Sequence, residues 1–167
     1  MGGAIDVPGN TTPLAEFNIY VDPHAAHIVL HSGLPLTLVP WDVTSKVLLT
    51  QAHVDQLLEI ASPVSALIAD ATSFYIDFHR QYFGYAGCSI NDPCAVALVF
   101  QPELAEYESV FIDVEIDSEK SMGKTMADVG DTLRRPANVR LVRSFDAEAF
   151  LALFMQRMIG LARRNSG

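Results

Sequence analysis

Two Asp-Pro dipeptides, Asp22-Pro23 and Asp92-Pro93, constrain the fold most, because each joins a helix-capping carboxylate to a proline suited to the first helical position. After the first, residues 25–30 continue as a helix ending near Gly33, and residues 36–39 read as a short buried strand. After the second, residues 94–100 form an apolar helix. Helix, brief loop and strand in that order make an α/β unit. Thr50 caps a further helix to about Ile60, while residues 41–44 read as a connection and 85–90 as a loop. Pro63 opens a longer helix closed by Gly84, in which Val64, Leu67, Ile68, Ala71, Phe74, Phe78 and Tyr82 recur at helical spacing as a core stripe. Residues 110–116 and 139–142 are strand-like, 123–129 a further candidate, and 146–162 a final helix. The expected class is α/β, part of an open, mostly parallel, Rossmann-like sheet with flanking helices. Loops at the carboxyl ends of such strands, here 6–18 and 85–92, share a ligand crevice.

A chain of 167 residues fits one domain and can bury a real core, and a hydrophobic half argues against disorder. The net charge of -9 argues against tracking nucleic-acid phosphates, which needs clustered Lys and Arg, so small molecules or proteins are the better partners. Residues 1–119 carry 16 acids against 2 bases, and the remainder 4 acids against 9 bases. An acidic first part suits a cation site but is more commonly a solvated surface. Cys88 and Cys94, matching neither a zinc knuckle nor a redox pair, read as free thiols in a reducing compartment. No basic region leads into an apolar run at the N-terminus, and no uncharged apolar stretch is long enough to cross a bilayer. The expected location is the cytoplasm, with no membrane partner. Met1-Gly2-Gly3-Ala4-Ile5 reads like the exit from a buried strand, as in the second part of something longer.

Polar chemistry gathers in residues 8–18. Pro8-Gly9-Asn10 forms a turn, and on local chemistry alone Glu16 and Asn18 are solvated loop residues. Asp92 serves either as an N-cap or, at a helix start in a sheet crevice, as a holder of a cation or sugar hydroxyls; the residue types leave both open. Tyr75, His79 and Phe83, at four-residue intervals, form a stripe beside the core stripe, suited to packing or to a pocket. His24, His27 and His31 share a helical face at metal-ligand spacing, but without a cysteine or a nearby carboxylate cluster a solvated histidine face is expected. His53 reads as an isolated surface residue. Gly123-Lys124-Thr125 is not a phosphate loop, since Ser118 stands where the earlier glycine is needed.

Taken in order, Met1-Gly2-Gly3, Pro8-Gly9-Asn10, Ala15-Glu16-Phe17-Asn18, Val21-Asp22-Pro23-x-Ala25-Ala26, Asp42-Val43-Thr44, Asn91-Asp92-Pro93-x-Ala95-Val96 and Arg135-Pro136-x-Asn138-Val139 resemble landmarks of the inosine-uridine preferring nucleoside hydrolase family, in its C-terminal half only. The resemblance covers nearly the whole chain and implies that residues 1–167 are one domain, the C-terminal portion of an N-ribohydrolase. Such enzymes cleave the bond between ribose and a purine or pyrimidine base, with a calcium ion binding ribose and activating water. By that resemblance Asn10 and Glu16 would bind the ribose 5′-hydroxyl and Asn18 the 3′-hydroxyl, with Phe17 near sugar and base. Asp92 would ligate calcium and touch the ribose hydroxyls, and Tyr75, His79 and Phe83 would shape the base pocket. The residue types suit the chemistry, since oxygens gripping the hydroxyls stabilise an oxocarbenium-like sugar.

Two departures qualify the resemblance. The family's D-x-D-x-x-x-D-D cluster, source of most calcium ligands and of the general base, is matched nowhere in the sequence. Calcium takes about six to eight oxygens, so Asp92 alone makes no tight site. Asn91 stands where many members carry histidine before Asp-Pro; an imidazole can donate a proton to a leaving base near neutral pH, and an amide can only hydrogen-bond. The expectation is therefore a chain with ribose and base contacts, weak or absent calcium binding, and little activity alone. Its expected partners are a nucleoside and either further copies of itself or an N-terminal half. A non-catalytic ribose- or nucleoside-binding domain, or a remnant acting through protein association, is the alternative.

Overall fold

The computed structural model describes residues 1–166. The chain runs through α1 (Phe17–Val21), α2 (Pro23–Leu30), β1 (Leu36–Leu38), α3 (Trp41–Thr44), β2 (Leu48–Thr50), α4 (Gln51–Leu58), α5 (Pro63–Phe83), β3 (Gly87–Ser89) and α6 (Asn91–Phe100). A 3-10 turn at Pro102–Leu104 leads into β4 (Ala105–Val110), β5 (Ile112–Val114), β6 (Thr125–Ala127), β7 (Val139–Phe145) and α7 (Ala147–Arg164). Met1–Thr44 and Asn91–Phe145 build one compact unit; Ser45–Ile90 and the segment from Asp146 onward build another. No described helix is long and apolar enough to cross a membrane.

In the first unit β7 is the central strand, parallel to β1 (Leu36 opposite Val139) and antiparallel to β4, with an irregularity between Glu106 and Tyr107. β5 and β6 form a second antiparallel pair. The α/β class holds, but the expectation of mostly parallel strands is corrected to a mixed arrangement, with parallel pairing confined to β1 and β7. For β5 and β6 the connection accounts for it: the loop between them is too short for a crossover, so the returning strand pairs antiparallel. Leu30, Val110, Ile112, Val114, Val139 and Leu141 form the core here. Asn138 staples it, accepting from the Ile112 amide at 2.8 Å and donating to the carbonyls of Leu30 and Ile112 at 3.0 and 2.9 Å.

In the second unit β2 pairs antiparallel with β3, which corrects the loop expected over 85–90. Close approach explains the glycine there: a Cβ on Gly87 would lie 2.4 Å from the Leu49 carbonyl oxygen. Helix α4 starts as expected at Thr50, whose backbone N–H donates to His53 Nδ1 at 3.0 Å. His53 is thus half-buried in a cap rather than isolated on the surface. Ser62 caps α5 by accepting from the Ser65 amide at 3.1 Å, and Gly84 ends it in a left-handed turn, φ 70°.

The face that α5 buries is not the expected one. Ser65, Ala69, Ile76 and His79 are buried, whereas Leu67, Phe74 and Tyr82 are 70, 76 and 65 % exposed. Small residues let α5 lie close to its neighbours, so Ala69 and Ile76 join Leu49, Val54, Leu57, Cys88 and Met155 in the core; of the expected stripe Ile68 packs against that core, while Leu67, Phe74 and Tyr82 face outward.

Candidate functional site

Residues 8–18 form a tight loop that delivers the chain into α1. Gly9 sits where a Cβ would come within 2.1 Å of the Ala15 carbonyl oxygen, so only glycine fits this crossing. Asn10 is half-buried, and its Oδ1 accepts from the Phe17 amide at 2.8 Å. Phe17 is 56 % exposed. Asn18 is exposed and donates through Nδ2 to the Met1 carbonyl at 3.3 Å.

Glu16 is not a solvated loop residue. It is 2 % exposed and caps α1: Oε1 accepts from the Asn18 amide at 2.9 Å, and Oε2 from the amides of Gly3 at 2.9 Å and Ile19 at 3.3 Å. Burying a carboxylate is tolerable because these N–H groups replace its water. The same carboxylate ties residues 1–3 to α1. Lys124 supports the segment by donating from Nζ to the carbonyls of Ala4 at 2.9 Å and Ile5 at 2.7 Å, and Asp42 accepts from the Ile5 and Asp6 amides at 2.9 and 2.7 Å.

Asp92 behaves differently from Asp22. Asp22 Oδ1 accepts from the Ala25 amide at 2.9 Å, a true N-cap. Helix α6 instead begins at Asn91, which places Asp92 inside its first turn, so the capping role expected of Asp92 is corrected. Its carboxylate is exposed, and among the described residues no hydrogen bond or ion pair occupies it. Beside it, Asn91 Oδ1 is buried without a hydrogen-bond partner. Two residues on, burial pushes the Cys94 thiol up to about 12, and burial raises that of Cys88, so both stay protonated and neither is an activated nucleophile.

Tyr75, His79 and Phe83 stand on α5 in the second unit. His79 is 2 % exposed, with Nδ1 3.0 Å from the Tyr75 carbonyl and its ring centroid 4.2 Å from that of Tyr75 and 5.4 Å from that of Phe83. Burial lowers its pKa, outweighing the hydrogen bond to Tyr75, so the ring is neutral. His79 thus contacts both of the other two. Asn10, Glu16, Phe17 and Asn18 form a hydrogen-bonded group in the first unit, and no hydrogen bond links that group to Asn91 or Asp92 among the described residues. A cleft of about 550 Å³ beside β1 and β7, lined by Leu34, Pro35, Thr37, Pro136 and Asn138 among others, contains none of these residues.

A calcium site does not fit around Asp92, because no second carboxylate joins it in a ligand cluster among the described residues. The potential metal-ligand group that does occur there is elsewhere and was only half visible in the sequence. Asp113 of β5 brings its Oδ1 to 2.8 Å from His27 Nδ1 on α2 and 3.1 Å from Nε2 of His31, the C-cap of that helix. The histidine face is therefore partnered, by a residue 86 and 82 positions away. Burial pushes the Asp113 carboxyl up, but the Val114 amide and the two histidines more than offset this, leaving it below its usual range. His24 remains exposed.

A family model described as inosine-uridine preferring nucleoside hydrolase matches residues 1–152. Pyrimidine-specific ribonucleoside hydrolases RihA from Shewanella sp. (strain ANA-3) and Klebsiella pneumoniae subsp. pneumoniae are each 35 % identical over 159 residues, which is 95 % of this chain and 50 and 51 % of theirs. Among solved structures, a purine-preferring ribonucleoside hydrolase from Gardnerella vaginalis superposes with a TM-score of 0.89 at 33 % identity, covering 97 % of this chain and 51 % of that one. A plant nucleoside hydrolase gives 0.86 at 27 % identity, covering 95 and 52 %. The chain spans about half the length of the curated relatives it matches.

Proposed function

Because the chain belongs to the inosine-uridine preferring nucleoside hydrolase family, we propose that it supplies the sugar- and base-binding portion of a ribonucleoside N-ribohydrolase. The observation that carries this reading is the open Asp92 carboxylate beside the unpartnered Asn91 Oδ1, at the start of α6. A buried acceptor without a donor points to a ligand that brings one, and a ribose hydroxyl or a base N–H does so.

On this reading Asp92 accepts from ribose hydroxyls and stabilises positive charge developing on the sugar as the glycosidic bond breaks. Asn10 and Asn18 contact the 5′- and 3′-hydroxyls, and Phe17 packs against sugar and base. Glu16 acts beneath them: three backbone N–H groups on its carboxylate fix the loop, and Oε1, with one such partner, keeps a lone pair for the 5′-hydroxyl. Tyr75, neutral His79 and Phe83 shape the base pocket, with Asn91 a hydrogen-bonding rather than proton-donating group. A calcium ion would find one carboxylate here, so no step is assigned to it.

The two units then form one domain's C-terminal portion, in the cytoplasm, completed by an aspartate-bearing half or by further copies. The outward Leu67, Phe74 and Tyr82, and Val96, Val99 and Phe100 on α6, support association, because apolar surface of this kind is usually covered. The test is ribose release from uridine and inosine with calcium added. The chain alone is expected to be inactive, and active when mixed with an aspartate-bearing N-terminal half. Turnover by the chain alone overturns the reading, as does inertness of the mixture toward both nucleosides. Ribose binding without turnover in the mixture would mark a non-catalytic binding domain.

A further inference from the structure

We propose that His27, His31 and Asp113 form a binding site for a zinc-class divalent transition-metal ion, clasping α2 to β5. Three observations carry it. The two histidines are four residues apart, His27 in the last turn of α2 and His31 at its C-cap, with ring centroids 4.3 Å apart. Their nitrogens and a carboxylate oxygen, one ligand atom from each residue, lie within 4.8 Å of one another. The exposure is also apt: side chains at 35, 32 and 28 % are sheltered enough to be ordered and open enough to admit an ion and a water.

Donor chemistry selects the ion. Two imidazoles and one carboxylate suit zinc, cobalt or nickel, whereas calcium requires more oxygens. Bonds of about 2.0–2.2 Å to a tetrahedral ion set its donor atoms roughly 3.3 Å apart. The nitrogen–oxygen separations of 2.8 and 3.1 Å therefore need only a small opening. The partners are also braced. His31 packs edge-on against Phe111 with centroids 5.8 Å apart, and the Val114 amide donates to Asp113 Oδ1 at 2.8 Å. Neither α2 nor β5 supplies any of the candidate nucleoside-binding residues, so this site stands or falls independently of the ribohydrolase reading.

The experiment titrates the whole chain with Co2+, followed by its d–d absorption, and then displaces cobalt with Zn2+. One Co2+ per chain, with a spectrum characteristic of nitrogen and oxygen ligation, is expected. His27→Ala, His31→Ala and Asp113→Asn should each weaken binding at least about tenfold, the usual order for losing a metal ligand or its close support. His24→Ala on the same helix should change nothing. His31 is exposed, so its variant is the one to read if Asp113→Asn unfolds by circular dichroism. Absence of saturable binding, or binding that survives His31→Ala, overturns the proposal and leaves a hydrogen-bonded His–Asp–His triad.

Discussion

Asp22 and Asp92 occupy the same local sequence, an aspartate before proline at a helix start, yet they have opposite fates. Asp22 turns its carboxylate onto the Ala25 amide and is consumed by the helix it caps. Asp92 sits one position inside α6, leaves its carboxylate open, and has an unpartnered amide oxygen next to it. Glu16 extends the first case, with three backbone donors on one buried carboxylate. Acids that accept from backbone N–H groups hold the fold, and an acid left wholly open at a helix N-terminus is the one most available to a ligand.

The sharpest break of this comparison is Asp92→Ala in the chain completed by an aspartate-bearing half. Ribose release should fall by about 10²- to 10³-fold, the scale of losing one preorganised charge-stabilising group. The melting free energy should change by less than about 1 kcal/mol, the range of a first-turn acid's interaction with the helix dipole. A large loss of stability with unchanged turnover would reverse the assignment. Glu16→Gln should do the opposite first. Replacing a charged acceptor by an amide whose NH2 faces backbone N–H groups costs about 3 kcal/mol, seen as a lower urea midpoint at constant m-value.

Asp22→Ala should cost about 1 kcal/mol, the usual loss of a helix cap, with turnover changed only in proportion to the folded fraction. The smallest effect concerns the buried His79. Its pKa is lowered in the fold, so the unfolded chain binds more protons as pH falls through the ordinary histidine range, about 6.5. Stability should be full above that range and decline below it, until pH passes the lowered native value. Urea melts at about pH 8 and pH 5 measure the slope, and His79→Gln should flatten it.

Signals written in neighbouring residues were legible. Asp22-Pro23, Thr50, Pro63 and Gly84 mark helix ends where the structure has them, because such signals act over three or four residues. What failed depends on distant chain. β3 is three residues long, and Gly87 makes sense only against the Leu49 carbonyl. The phase of α5 was misjudged because side-chain size suggested the core, while close packing placed Ser65 and Ala69 there. Glu16 read as solvated because its Gly3 donor lies 13 residues back, and Asp113 was invisible as a partner of His27 for the same reason at greater range. The candidate nucleoside contacts came from ordered landmarks rather than local chemistry, and the structure adds which acids are open and which are closed.

The division of the chain between its units governs the order in which this protein can be completed during synthesis. The polypeptide passes from one unit to the other after Thr44, after Ile90 and after Phe145, so no single cut frees either unit intact. Leu49, Val54, Leu57 and Ile76 leave the ribosome long before Met155 of α7, which closes their core. β1 likewise waits for β7, its parallel partner a hundred residues downstream. The first unit has all its strands once β7 is made, whereas the core of the second stays open until α7 supplies Met155.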